Sequence, residues 1–210
     1  MSKQFDIDLT EEQKLGVYLD NNFYNDIKQF PVNFSVKRIT GMKGQFAGID
    51  IEITDLNNNQ KYYIDEKGQS HYKNKNMPTF AFEISFLNKQ KQWRPGWLFS
   101  SNKITQQYIL CTCIQEINDV IIGSRILLVD RQKLLDFLIS KKLDKQKCEM
   151  YEKDFRTNDK VNKQPISELS NREGYFFYSK HIEEEPINLV LYIQTLINNK
   201  IAKELVSCPL

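Results

Sequence analysis

The sequence predicts an α/β fold in which a mixed central sheet carries a β-meander and is flanked by helices. Three observations predict it: an amphipathic helical pattern near the start, three short alternating segments between residues 32 and 69, and helical patterns that recur after residue 130 among further apolar runs. The 210 residues are enough for one domain spanning 1–210 to bury a core unaided. Elaborations on it are expected at 71–100 and 141–173.

The first helix is expected from Thr10 to Lys28. Thr10 caps it, Gln13 completes a capping box, and Glu11 and Glu12 suit the positive end of the dipole. Leu15, Leu19, Phe23 and Ile27 form its apolar stripe, with Glu12 at the stripe's edge. Val32, Phe34, Val36 and Arg38 then alternate as in a first strand, and "GMKGQFAG" connects it to a second, "IDIEITD". "NNNQ" is a turn and "KYYIDEKGQ" the third strand, which completes the meander.

Beyond Gly68, residues 80–87 read as a short strand within a basic, aromatic region. "ITQQYILCTCIQEI" and "SRILLVD" read as two strands around a turn at Asn118 and Asp119. Asp130 is expected to cap a helix, "RQKLLDFLISKKL", and residues 141–173 to form a surface loop or lid. "GYFFYSK" reads as a strand. A C-terminal helix is expected from Pro186, with Val190, Ile193, Ile197 and Ile201 on one face.

A composition of 40% hydrophobic and 27% charged residues is that of a chain that folds, and a net charge of only +2 means that a nucleic-acid partner must be held by a local patch. With no run of 18 apolar residues and a charged start, "MSKQFDIDLTEEQK", no membrane span and a cytoplasmic location are expected. Cys111 and Cys113 are expected to be buried thiols on one strand face, since no second pair at zinc-knuckle spacing follows. His71 and His181 are isolated, which disfavours a His-centred nuclease or a Ser-His-Asp hydrolase.

Chemistry concentrates in the meander. Asp50 and Glu52 share one side of the second strand, and Asp65, Lys67 and Gln69 share one side of the third, opposite Glu66. Antiparallel pairing sets Asp50 against the Asp65 and Lys67 row. Two adjacent carboxylates attract a hard divalent cation, and a lysine beside them stabilises charge developing on a phosphoryl group. A cross-strand salt-bridge cluster on a solvated face is the competing reading of these residues, worth about 0.2–1 kcal/mol per pair.

Gly48-Ile49-Asp50 followed by Asp65-Glu66-Lys67 resembles the PD-(D/E)xK nuclease superfamily, which includes many restriction endonucleases. The resemblance covers roughly the first 70 residues and the order helix, then three-strand meander. It implies a restriction endonuclease-like core and Mg²⁺-dependent hydrolysis of DNA phosphodiesters, with Mn²⁺ as a substitute. It makes Asp50 and Asp65 metal ligands, with Glu66 counted beside them, and Lys67 the catalytic lysine. Glu12, or Glu11, stands for the helix glutamate of some members, and Gln69 for an extra polar residue. Ile49 occupies the place of the family's proline, and the helix expected after the motif strand is not evident before Asp130.

DNA contacts are expected from Lys43, Lys73, Lys75 and Arg94, and a homodimer would let two sites cut two strands. "GMKG" matches the GxxG loop of KH modules but is flanked by strands, and it lacks the end of a P-loop. Trp93, Arg94 and Trp97 either grip nucleic acid or plug the core, and Glu83 on its apolar strand is either a further site acid or an ion-pair partner. The competing expectation for function is a non-catalytic nucleic-acid-binding or interaction protein on the same scaffold.

Overall fold

A computed structural model describes residues 3–25 and 33–208. In chain order its elements are α1 (Lys3–Leu19), a π-helical turn (Asp20–Tyr24), β1 (Phe34–Arg38), α2 (Met42–Ala47), β2 (Ile51–Asp55) and β3 (Gln60–Gly68). There follow β4 (Thr79–Leu87), β5 (Trp93–Pro95), β6 (Gln107–Ile117), β7 (Val120–Asp130), α3 (Arg131–Ser140) and α4 (Lys145–Thr157). The chain ends with β8 (Asn162–Gln164), β9 (Gly174–Tyr178), β10 (Ile187–Tyr192), α5 (Ile193–Asn198) and β11 (Ala202–Val206). The class is α/β, with two sheets.

Two compact units account for the chain: the first takes residues 1–77, 104–130 and 203–210, the second 78–103 and 131–202. Of the expected elaborations, 78–100 and all of 141–173 fall in the second unit.

The sheet of the first unit runs β1-β2-β3-β6-β7-β11. Its meander β1-β2-β3 is antiparallel, while β6 joins β3 in parallel, from Ile64 opposite Gln107 to Gly68 opposite Cys111. The β2–β3 turn forms where Asn59 takes a positive φ of 57°, a conformation that Asn accepts more readily than most residues. Ile51, Ile53 and Ile64 face a core that receives Leu15, Leu19 and Phe23 from α1 and the π-helical turn. Phe34, Val36 and Arg38 are half-buried, as their alternation implies.

Three expectations are corrected in this unit. Thr10 lies within α1 and does not cap it, because "KQFDIDL" contains no Gly or Pro and carries the helix back to Lys3. The expected continuation through Ile27 to Lys28, and Val32, lie outside the described residues. "GMKGQFAG" is not a plain connection: it folds as α2 between Gly41 and Gly48, whose φ values of 104° and 67° make the entry and exit turns. Cys113 is not a buried thiol. The ladder between β6 and β7 shifts register after Thr112, Cys113 takes a φ of 50°, and its sulfur is bonded to Cys208. Cys111, one step earlier in regular pairing, is a free buried thiol.

The sheet of the second unit runs β5-β4-β10-β9-β8. Its centre, β10, is buried at Ile187, Leu189, Val190 and Leu191, which overturns the expected C-terminal helix from Pro186. "INLVLY" is a short apolar run with no polar face, and such a run is equally compatible with a buried strand. Helix begins only at Ile193 and lasts six residues. The expected loop at 141–173 instead holds α4, capped by Asp144, whose carboxylate accepts from the Lys147 N–H at 2.8 Å. Phe155 and Tyr151 of α4 pack on Phe176 of β9.

Among the described residues no helix is long and apolar enough to cross a membrane.

Candidate functional site

Register brings the carboxylates together. Ile51 pairs with Ile64 in the β2–β3 ladder, so Asp50, one residue further back, stands opposite Asp65, one further on. The backbone of Asp50 is held on both sides: its N–H donates to the Ile64 carbonyl at 2.9 Å, and its carbonyl accepts from the Ile39 N–H at 2.7 Å. Its carboxylate accepts from the Glu66 N–H at 2.7 Å. Just before it, the buried Thr105 hydroxyl donates to the Gly48 carbonyl. Asp50 is thereby fixed in position, backbone and side chain.

Asp65 is 4% exposed, and the Lys67 ammonium lies 2.5 Å from its Oδ1. Burial pushes the Asp65 carboxyl up, the Lys67 charge pulls it down, and the charge of Asp50 and a hydrogen bond between the two carboxyls push it up again, to about 7. Burial alone would lower Lys67, but the charges of Asp65, Asp50 and Glu12 outweigh it and raise its pKa. The ammonium is therefore charged, while the Asp65 carboxyl changes its protonation state near neutrality.

Glu66 points elsewhere. Its carboxylate takes two hydrogen bonds from the Arg38 guanidinium, at 2.8 and 3.1 Å, and the same guanidinium takes hold of Asp20 at 2.7 and 2.8 Å. Burial, and after it the charge of Glu66, raise the Tyr24 phenol well above its usual range. Glu66 thus does not join Asp50 and Asp65 by its side chain, as its count among the metal ligands implied; strand alternation sends it to the opposite face, where it is neutralised by Arg38. Its contribution to the site is the backbone N–H on Asp50. Arg38, Asp20 and Tyr24 were missed as supports of the site. The signal for Arg38 was present, as an arginine in the inward phase of an otherwise apolar strand.

Glu12 is exposed on α1 yet near enough for its charge to act on Lys67. With Glu11, Leu15, Gly68, Ser70 and Lys73 it lines a small cavity of about 30 Å³. Gly68 permits this closeness of α1 to β3, since a Cβ there would lie 2.6 Å from the buried Leu15 side chain. Glu11 is committed to Lys14 and Lys73. Gln69 follows β3, and its N–H donates to the Cys111 carbonyl at 3.0 Å.

The expected DNA contacts scatter. Lys73 is held by Glu11 and Glu116 at 2.5 and 2.6 Å, so its charge is already neutralised within the first unit. Lys75 is exposed at a cleft of about 430 Å³ that also includes Cys113 and Cys208 but none of Asp50, Asp65 and Lys67. The side chain of Lys43 lies outside the described residues. Arg94 belongs to the second unit and is exposed on β5. His71 and His181 are both exposed. Glu83 is half-buried on β4, also in the second unit.

Among the described residues, no group of three or more His, Cys, Asp or Glu side chains is gathered closely enough to enclose an ion. Two adjacent carboxylates remain, and magnesium is a cation that rests on one or two carboxylates and fills its other positions with water and phosphate oxygens. Burial, and after it the neighbouring charge of Asp50, lift Asp65 to about 7, and a cation at this place would offset both, so the donor set fits. Comparison of the chain with protein-family models, with curated proteins and with solved structures finds no match.

Proposed function

We propose that the protein is a metal-dependent deoxyribonuclease with a restriction endonuclease-like core in its first unit. The observation that carries this reading is the juxtaposition of Asp50 and Asp65 across two strand ends with Lys67 in contact with Asp65. Support comes also from the order of elements: a helix, an antiparallel three-strand meander bearing these residues, then a strand parallel to the third. The helix that this fold family places between those last two strands has no counterpart, and the chain passes through 78–103 of the second unit instead.

Asp50 and Asp65 are the residues that would hold Mg²⁺ or Mn²⁺, which when bound polarises a phosphodiester and activates water. Asp50 is held ready by the Glu66 N–H and the β1 and β3 backbones, so its carboxylate needs no reordering when substrate arrives. Lys67 carries a permanent positive charge beside the carboxylates and stabilises the negative charge that builds on the phosphoryl oxygens. Glu12 acts on Lys67 through its charge and does not join Asp50 and Asp65 as a ligand.

The test is incubation of end-labelled duplex and single-stranded DNA with the purified protein in Mg²⁺, Mn²⁺ or EDTA. Shorter products that require the divalent ion are expected. DNA left intact under every condition would overturn the proposal.

A further inference from the structure

The two units differ in charge. The second carries 17 Lys and Arg against 12 Asp and Glu, while the first, which holds the carboxylates, carries 12 against 15. A chain of net charge +2 therefore divides into a basic and an acidic part, and a polyanion is attracted to the basic one.

Within the second unit, the basic character has a focus with structure. Residues 88–103, "NKQKQWRPGWLFSSNK", contain four cations and no acid. They include the β4–β5 hairpin, in which Phe86 pairs with Arg94 and Leu87 with Trp93, and β5 is an edge of its sheet. The tip is rigid. Asn88 closes it by accepting the N–H groups of Gln90 and Gln92 at 3.0 and 2.9 Å on its side chain, while its carbonyl accepts the N–H of Lys91 at 2.9 Å.

Lys89, Lys91 and Arg94 are exposed on this hairpin, beside Trp93, a residue that is 36% exposed. The Arg156 guanidinium is stacked 3.3 Å from the centre of the Trp93 ring and is itself anchored by Glu152 and Ser85. The tryptophan is thus held from behind by a fixed cation. Trp97, in contrast, packs against Phe82.

We infer that the β4–β5 hairpin is a nucleic-acid-binding surface, on which Lys89, Lys91 and Arg94 meet backbone phosphates and Trp93 offers a ring for stacking on a base. Three exposed cations without an intervening acid suit a repeating phosphate anion. An aromatic ring backed by arginine suits a base, which a purely acidic peptide lacks. A tip already ordered by Asn88 loses little entropy on binding. The choice of partner rests on the reading of the protein as an enzyme of nucleic acid, but binding is measured apart from hydrolysis.

The experiment is fluorescence anisotropy of labelled single-stranded and duplex oligonucleotides, in EDTA, across a range of salt, with the full chain. The variant K89Q/K91Q/R94Q is expected to bind at least about tenfold more weakly at low salt. Its slope of log affinity against log salt should be shallower by about 2–3, at roughly 0.7–0.9 per lost phosphate contact. A control of equal charge in the first unit, K37Q/K61Q/K203Q, should change the slope by far less. W93F should abolish the quenching of tryptophan emission that DNA causes in the unmodified protein, which Trp97 alone would not show.

Absence of binding by the unmodified protein at low salt, equal losses in the two triple variants, or competition by polyglutamate as effective as that by DNA would each overturn the inference. Asp50→Asn separates the two readings. Hairpin-dependent binding by a protein that never cleaves DNA leaves this surface standing and removes only the nuclease.

Discussion

At Asp65 the folded protein maintains a carboxyl that is costly to ionise. Its pKa is raised from 3.8 to about 7, so between those values the folded state binds more protons than the unfolded one. The contribution of Asp65 to stability is present in full below about pH 4 and is lost as pH rises through 7, a change on the order of 2–4 kcal/mol. Asp65→Asn in EDTA should therefore gain on the unmodified protein as pH rises from 4 to 8, as read by urea unfolding at each pH. A constant difference across that range would mean that Asp65 titrates normally. The Arg38 pairings make a second prediction. Removing the guanidinium in Arg38→Met leaves the nearly buried Glu66 without its partner and should cost about 2–4 kcal/mol, measured by the same method. A loss under about 0.5 kcal/mol would show that Arg38 does not hold this region together. Asp50, Asp65 and Lys67 were legible in the sequence because strand alternation and one short turn fix which residues face each other. The rotation of Glu66 toward Arg38 follows from the same alternation, but the partner comes from β1 and the π-helical turn, and nothing local announces it.

Elements closed by short turns were the legible ones. The β2–β3 and β6–β7 hairpins carry Asn and Asp at their turns, with positive φ at Asn59, Asn118 and Asp119, so sequence and geometry agree there. β10 was misread because an apolar run buried on both faces has no period to betray it, and because Val190, Ile193, Ile197 and Ile201 happen to fall at helical intervals across a strand-to-helix boundary. The link between Cys113 and Cys208 was equally hidden, since 95 residues separate them and a register shift turns Cys113 out of the strand's alternation. That bond ties β6 to the segment after β11 and closes a long loop, for which a stabilisation of about 2–4 kcal/mol is usual. Cys208→Ser, or treatment with reductant, should lower the melting temperature by several degrees. An identical melting curve would show that the two thiols are not joined.

For the molecule as a whole, a sequence read segment by segment does not show that 78–103 and 131–202 form a compact unit of their own between pieces of the other. Local periodicity says nothing of which distant strands share a sheet, and the parallel pairing of β3 with β6 joins residues more than 40 positions apart. The division assigns roles: an acidic first unit bears the paired carboxylates and Lys67, and a basic second unit bears the hairpin. The measurement that tests the central claim most directly is cleavage of supercoiled plasmid in Mn²⁺ or Mg²⁺ by the unmodified protein, Asp50→Asn and Lys67→Ala, each verified as folded by its melting curve. The account predicts nicked or linear products from the unmodified protein, and a loss of rate of about 10²-fold or more in both variants, the scale of removing one charge-stabilising group. Cleavage that persists undiminished in either variant would contradict it.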